Sequence, residues 1–599
     1  MQQITQYASD ARIAMSRRQF AQAMGLAAAL AAFGGSLGVI SREAAAAEAA
    51  STTSCDVLVV GAGGAGAAAA SQAAANGAKT IVIEKGASQM GSSVLALGTF
   101  YGAGTQLQKA AGIQDDPSGL LDYFMSRGGD KLDPEVQKFC AENFGKTIDW
   151  LVEDLKVPFK DKVSLKGTDT VPRGHNCANT ANDALQAVTS LAESYGAQFV
   201  FSTAAKSLIV DKGAVVGVLA TDADGKDVQY DAKKTIMACG GFARNPEMID
   251  KYMPDYSGVY TEVGAGCTGE GLQMGLDVGA GYIGHGGVNG ILFCAVQTGQ
   301  SKLISKNALW LTSEGKRFVN EDGQTHEIFN QVAAFPDKSF YAIYDQAMVD
   351  ALDDKLKEKF QKGLDMGIFA QGDTVADAAD ALGLPGEAFD AALADYNALC
   401  DAGQDTEFGK AADCLVPLTE APFYVLTMGV CTHGTFGGYD VNANLEVLDA
   451  NGKVIPNFYA VGECSCGTFI YDDYPAGGCG LNWAYTSGRF AGMNAAVAIK
   501  GGTGVANAKG ATDGETKPAA ASSAKDAKAA ASSSAKDAKA AASSSAKDAS
   551  KAASAASEKG DKAASAGTAG ASTSSDAKAA TESKDGEKAA AGASAKSDK

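Results

Sequence analysis

The chain has 599 residues, with 51 Lys+Arg against 70 Asp+Glu, 71 glycines and only 4 histidines. Residues 503–599 hold 15 lysines and 12 acidic side chains, so the formal −19 divides into +3 there and −22 elsewhere. So acidic a body excludes nucleic acid, whose binding rests on cationic side chains against phosphates, and beyond Ile40 no apolar run approaches the ~20 residues of a membrane-spanning helix.

In chain order, Ser16-Arg17-Arg18-Gln19-Phe20 precedes the apolar stretch Ala21 to Ile40, and an Ala-rich segment follows from Ala44 to Ala50. This pattern predicts a twin-arginine (Tat) export leader over 1–50, cleaved at an Ala-x-Ala site. A buried helix or a retained anchor is the alternative. Export of that kind carries folded, cofactor-loaded proteins and places the chain outside the cytoplasm, in the periplasm or at the cell surface. At the other end, residues 501–599 are almost entirely Ala, Ser, Lys, Asp, Gly, Thr and Glu, with Ala-Lys-Asp-Ala repeating every 11 residues from 524, 535 and 546. Such a segment buries too little apolar surface to offset its ordering entropy. It is read as a solvated tether, or as a spacer associating with cell wall or membrane. The body between is about 450 residues, enough for two sizeable cores. Its 12 cysteines are dispersed without a Cys-x-x-Cys. They predict buried free thiols, with no ferredoxin run, no attached haem and no metal site assigned.

The body opens on an apolar strand, Cys55 to Val60, followed at once by Gly61-Ala62-Gly63-Gly64-Ala65-Gly66. An Ala-rich helix pattern runs to about Asn76, and a second strand, Thr80 to Ile83, ends at Glu84. Strand, G-x-G-x-x-G, helix, strand and acid in that order form the dinucleotide fingerprint. Gly61 makes the tight turn, Gly63 lets backbone approach the pyrophosphate, and Gly66 lets helix and strand pack closely. The helix N-terminus faces the phosphates, and Glu84 takes the adenosine ribose hydroxyls. FAD is favoured over NAD, because a retained flavin survives export where a diffusible nicotinamide is scarce.

Further motifs resemble the fumarate reductase/succinate dehydrogenase flavoprotein family and the related 3-ketosteroid dehydrogenases. The resemblance runs from about Cys55 to Met493. Gly91-Ser92-Ser93 through Gly98-Thr99 is similar to its flavin loop. Lys234 to Phe242 is similar to its "K-x-x-I-x-A-x-G-G-F" strand, and Thr268-Gly269-Glu270-Gly271 to its "T-G-D-G". Gly315 to Glu321 matches "G-x-R-F-V-N-E", and Tyr396-Asn397 with Gly403, Asp405, Phe408 and Gly409 follows "Y-N…G-x-D…F-G". Ile455 to Glu463 resembles "I-P-G-L-Y-A-A-G-E", and Gly488 to Gly492 resembles "G-R-x-A-G". The resemblance implies an α/β fold: a discontinuous Rossmann-like FAD-binding domain at 52–283 and 425–500, with an α+β capping domain inserted at 284–424. It implies FAD contacts from Lys85, Ser92, Ser93 and Gly98, from Gly240, Gly241, Gly269 and Glu270, and from Gly462, Glu463, Gly480 and Leu481. Covalent members carry a histidine in the flavin loop. Here Ser92 stands in that place and no histidine lies between Gly86 and Phe100, so FAD is expected to be non-covalent.

Reduction of an activated alkene needs a hydride, a proton donor for the α-carbon, and stabilisation of charge on the adjacent carbonyl. Fumarate reductases use arginines for the last two. Here Phe340 to Asp345 continues Gln346-Ala347-Met348-Val349, and the segment similar to "N-R-L-G-G" reads Tyr474-Pro475-Ala476-Gly477-Gly478, both without arginine. Arginine is the residue suited to clamping a carboxylate, so fumarate is disfavoured. Tyr474 with Gly478 resembles the "Y-P-x-x-G" of 3-ketosteroid dehydrogenases, whose hydroxyl and N–H bind a ketone oxygen. Tyr474 as a packing residue is the alternative. His433 resembles the "H-x-x-G-G" histidine that contacts a substrate carbonyl, with a satisfied structural histidine as the alternative. His326, five residues after Glu321, is a candidate acid or relay, and His285 sits at the expected hinge. The expected activity is an exported, FAD-dependent reductase of a C=C bond conjugated to a carbonyl, an enone or enoate. It would serve anaerobic respiration, fed by a separate cytochrome or flavoprotein donor. A 3-ketosteroid-type dehydrogenase, a fumarate reductase with non-standard substrate residues, and a cell-wall binding protein with vestigial flavin are the alternatives.

Overall fold

A computed structural model describes residues 40–297 and 301–502. Most of the expected leader and nearly all of the C-terminal repeat segment lie outside those residues.

Val57 to Val60 are all buried, as a parallel strand covered on both faces must be. The strand is longer than its apolar run, Ser51–Val60, because its polar first half is held by a ladder that begins at Ser51 opposite Val228. It lies parallel between Thr80–Ile83 and Asp227–Met237, with Val60 opposite both Ile83 and Met237. Gln198–Val200 extends the sheet on one side, and Val454–Ala460 joins in parallel with Ala460 opposite Met237. The first half of Asp227–Met237 instead pairs antiparallel with Ala214–Thr221, which pairs with Ala204–Asp211. The nine-stranded sheet is therefore mixed. The run expected as a strand from Lys234 to Phe242 stops at Met237, because Gly240 turns left-handed at φ +74°.

At the far edge, Ile40–Ser41 pairs in parallel with Ile209 and Val210, and helix Arg42–Glu48 buries Ala45 against Ile209 and Leu219. The end of the expected leader thus packs on this sheet.

Helix Gly64–Ala75 is built of Gly, Ala, Ser and Gln, and the small residues let two neighbours approach at once. A Cβ at Gly66 would lie 1.9 Å from the Gly61 carbonyl oxygen. On the opposite side Gly488 and Gly492 of helix Cys479–Ile499 leave only 2.2 Å for a Cβ against the Ala65 and Ala69 oxygens.

A second, six-stranded sheet is organised by one 17-residue strand, Phe423–Tyr439. Its first half pairs with Ser339–Tyr344 and Phe369–Gly372, and its second half with Tyr282–Phe293 and Tyr260–Thr261. The expected border at 424/425 falls inside this strand. Beside the sheet, Arg317 donates to Glu321 at 2.8 Å and to Asp405 at 2.8 Å, and Lys410 reaches Glu321 at 3.4 Å. All twelve cysteines are free, and all but Cys239 and Cys400 are buried. Among the described residues no helix is long and apolar enough to cross a membrane.

Candidate functional site

The fingerprint glycines divide the work as their spacing requires. Gly61, at φ +108°, leaves 2.4 Å for a Cβ against the Ala238 oxygen, so only glycine fits the turn. Gly63 caps helix Gly64–Ala75, and a Cβ there would meet nothing nearer than Ser93 Oγ at 3.9 Å. That opening, at a helix N-terminus and beside Gly91, suits a pyrophosphate. Ser93 Oγ accepts from the Gly64 N–H at 3.1 Å, which ties the flavin loop to the helix start. Glu84 is buried, and its two oxygens accept from the Ala62 and Gly86 N–H groups at 2.9 Å each. The carboxylate keeps lone pairs for ribose hydroxyls while its position is fixed.

Other predicted contacts form two clusters. Lys85 Nζ donates to Thr268 Oγ1 at 2.7 Å and to Glu270 Oε2 at 3.0 Å. Burial pushes the Glu270 carboxyl up, but the Lys85 charge and the Thr268 hydrogen bond outweigh it and hold it below the usual range. Gly269, at φ +83°, turns the chain into helix Glu270–Asp277. In the second cluster Gly241 leaves 2.1 Å for a Cβ against Glu463 Oε1, which accepts from the Thr435 N–H at 3.0 Å. Burial raises the Glu463 carboxyl above its usual range. Gly462 packs against Ala65. Ser92 Oγ accepts from the Gly264 N–H at 3.1 Å and meets Cys267 Sγ at 3.3 Å. Gly98, at φ +83°, abuts Cys177 and Ala181 and accepts from the Cys177 N–H at 2.8 Å. Gly480 and Leu481 stand in the first turn of helix Cys479–Ile499. An open cradle at Gly63, a fixed acid at Glu84 and a helix N-terminus aimed between them fit FAD.

The candidate catalytic residues lie around the turn 471–478. Half-buried His433 points Nε2 at Glu262 Oε2, 3.2 Å away. Glu262 was not foreseen: it meets His433 because Tyr260–Thr261 runs parallel to Cys431–Thr432, a register no local motif discloses. The Tyr474 ring stacks on Phe436 at 5.6 Å and 15°. The hydroxyl oxygen expected to share a ketone with the Gly478 amide is itself held by the backbone of this turn. Gly480 N–H donates to the Tyr474 oxygen at 2.8 Å, and Gly478 N–H faces the same oxygen. The reason is the left-handed Gly478, φ +108°, which starts the helix directly beneath the ring.

His326 has both ring nitrogens engaged. Nε2 lies 3.1 Å from Asn330 Nδ2, and Nδ1 lies 3.4 Å from Asp473 Oδ1. Burial pushes its pKa below the usual histidine range, against the opposing pull of Asp472. Asp473 is also ion-paired to Arg127. Arg127 and Asp473 were both missed, because their partnership spans most of the chain. His285 stacks on Tyr471 at 4.3 Å, and the partial desolvation of its ring lowers its pKa. The fourth histidine, His175, is fully buried between the Arg173 carbonyl and Thr105 Oγ1, at 2.8 Å from each.

The six arginines among the described residues are all engaged. Arg42 pairs with Asp231, Arg127 with Asp473, Arg173 with Asp115 and Asp169, and Arg317 with Glu321 and Asp405. Arg244 donates to the Val263 and Gly264 carbonyls, and Arg489 lies over Trp150 and donates to Thr147.

A family model described as "FAD binding domain" matches residues 56–481. The urocanate reductase of Eggerthella lenta is 30% identical over 437 residues, 70% of this chain and 71% of that protein. A fumarate reductase (cytochrome) of Shewanella frigidimarina is 29% identical over 70% of this chain and 73% of its own. The NADH:fumarate oxidoreductase of Klebsiella pneumoniae is 28% identical over 71% of this chain, which spans only 46% of that protein. Among solved structures, the open conformation of a flavocytochrome c3 fumarate reductase superimposes with a TM-score of 0.66 at 26% identity, covering 76% of this chain and 80% of that one. The 3-ketosteroid-delta4-(5alpha)-dehydrogenase of Rhodococcus jostii RHA1 gives 0.63 at 26%, covering 77% and 99%.

Proposed function

The chain belongs to the FAD-dependent fumarate reductase/succinate dehydrogenase flavoprotein family, whose members here act on C=C bonds, and from that premise we propose that it reduces a C=C bond conjugated to a carbonyl, an enone or enoate, rather than a dicarboxylate. The observation that carries this is the state of the arginines: each has a protein partner, so no guanidinium stands free among the described residues to clamp a second carboxylate. When bound, the flavin supplies hydride to the β-carbon of the alkene. His433 is held to Glu262 through its Nε2, and as an imidazolium it would have its Nδ1–H left to donate to the carbonyl oxygen. Three residues further along the same strand, Phe436 stacks on Tyr474, an apolar pair that would favour exclusion of water from an alkene bound against it.

FAD is held without a covalent bond, because Ser92 replaces the flavin-loop histidine and its hydroxyl bonds the Gly264 amide. The FAD-binding domain is drawn from 52–283 and 425–500 and the cap from 284–424, with strands Tyr282–Phe293 and Phe423–Tyr439 running across the borders and the substrate between the two. The Arg17-Arg18 leader exports the loaded protein, and a separate cytochrome or flavoprotein supplies electrons for anaerobic respiration, since no Cys-x-x-Cys or haem motif exists in the chain.

A 3-ketosteroid-type dehydrogenase is the second reading, favoured by Tyr474-Pro475 with Gly478 and by the Rhodococcus structure. Anaerobic oxidation of reduced viologen, assayed with enones, enoates, fumarate and 3-ketosteroids, separates the two. Turnover of a mono-carbonyl alkene supports the proposal. Dye reduction by saturated ketosteroids alone supports the second reading, and no turnover on any alkene refutes the first.

A further inference from the structure

We propose that Tyr474 is the acid that protonates the α-carbon of the substrate, its oxygen held for that task by the N-terminus of helix Cys479–Ile499. The inference rests on the reductase reading above and assigns Tyr474 a different task from ketone binding.

The geometry starts from the oxygen. The Gly480 N–H donates to it at 2.8 Å and the Gly478 N–H faces it, so its acceptor capacity is turned toward the helix. A phenol has one hydrogen, which must then point away from those amides. Among the described residues nothing accepts it. The first-turn N–H groups of a 21-residue helix have no intrahelical acceptor and carry the positive end of its dipole. They are suited to hold a phenolate once the proton has left.

The ring is held on one face and through both of its chain neighbours. Phe436 stacks on one face. The next residue is fixed by Tyr123, whose hydroxyl donates to the Pro475 carbonyl at 2.6 Å, and the preceding one by the Arg127–Asp473 ion pair. Phe436 lies three residues from His433 on the same strand, so the hydroxyl and the carbonyl-binding histidine are carried by elements locked together. His326, the rival acid, has both nitrogens occupied by Asn330 and Asp473. Burial also raises the Tyr474 phenol, which keeps its proton in place throughout the neutral range.

The step balances without another reagent. Once the two electrons of the hydride have reached the β-carbon, the substrate is an enolate. The Tyr474 O–H bond breaks, the proton forms a C–H bond at the α-carbon, and the O–H electron pair stays on the phenolate oxygen between the two amides. Solvent then returns the proton. An enolate carbon is more basic than a phenolate, so the transfer runs downhill.

The test compares native holoenzyme with Tyr474→Phe, which keeps the ring and its stack. Flavin content and melting temperature serve as folding controls. Reoxidation of the reduced protein by an enone or enoate is followed anaerobically in buffers of increasing acid concentration and strength, and substrate affinity is measured separately on the oxidised protein. The expected result is a 10²- to 10⁴-fold slower reoxidation in Tyr474→Phe, with substrate Kd changed less than tenfold. The variant's residual rate should rise with buffer acid while the native rate does not. A Tyr474→Phe rate within threefold of native overturns the proposal. So does a large rise in Kd without buffer-acid dependence, the signature of a carbonyl-binding tyrosine. If no unsaturated carbonyl compound reoxidises the native protein, the reductase reading falls and this inference with it.

Discussion

Substituting alanine at Gly63 and at Gly66 should separate cofactor binding from folding, though the two sites are three residues apart. At Gly66 an added Cβ lands 1.9 Å from the Gly61 oxygen, and an ordinary contact begins at 3.4 Å, so helix Gly64–Ala75 would have to retreat by about 1.5 Å. It cannot, because helix Cys479–Ile499 closes on its other side so tightly that a Cβ at Gly488 or Gly492 would lie only 2.2 Å from the Ala65 or Ala69 oxygen. Overpacking of this kind costs about 1–3 kcal/mol, a fall of several degrees in melting temperature. At Gly63 the backbone is extended (φ −69°) and the nearest atom is 3.9 Å away, so the methyl enters open space. The weaker helix cap and the reduced freedom of the unfolded chain offset one another to within about 1 kcal/mol. The methyl nevertheless occupies the approach of the pyrophosphate, and FAD affinity should fall at least ~10-fold, which is about 1.4 kcal/mol. Thermal melts of flavin-stripped protein and titration with FAD by fluorescence quenching read the two effects separately. Native FAD affinity in Gly63→Ala would refute the cradle assignment, and a native melt in Gly66→Ala would refute the packing assignment.

Three further outcomes are expected. Arg317→Met leaves the buried Glu321 and Asp405 carboxylates without their shared cation, which should cost about 3–5 kcal/mol in denaturant unfolding; a loss under 1 kcal/mol would contradict the network's structural role. Burial lowers the His175 pKa to about 4, so between pH 6.5 and 4 the unfolded chain binds a proton that the folded chain refuses. Stability should therefore drop by about 3 kcal/mol as pH falls through that window, and His175→Gln should flatten the slope; an unchanged slope in the variant would remove His175 as its source. Truncation after Gly502 should leave FAD content and turnover unchanged in solution, while loss of either would show that the Ala/Ser/Lys segment does more than tether.

What was legible in the sequence was local. Gly61, Gly63 and Gly66 take separate tasks that the sequence alone discloses, because each follows from strand–turn–helix geometry within a few residues. Thr80–Ile83 was placed to the residue because Glu84 and the apolar run bound it on both sides. What was not legible depended on register and on distant pairs. Glu262 reaches His433 only through a two-residue parallel bridge, and Arg127 reaches Asp473 across most of the chain. Tyr474 and Gly478 were singled out by motif, but a motif does not say which way a hydroxyl's lone pairs face. That is set by the left-handed turn at Gly478. Ser51 to Ser54 were missed as strand because their pairing comes from the ladder to 228–231 and not from their own apolar pattern.

The central claim is that this flavoprotein reduces a carbonyl-conjugated alkene and does not clamp two carboxylates. Its most direct test is anaerobic single-turnover reoxidation of the reduced holoenzyme by fumarate against mono-carbonyl enones and enoates at matched concentration. The account predicts that at least one mono-carbonyl alkene reoxidises the flavin a hundredfold or more faster than fumarate does; fumarate reacting as fast as or faster than every mono-carbonyl partner would contradict it.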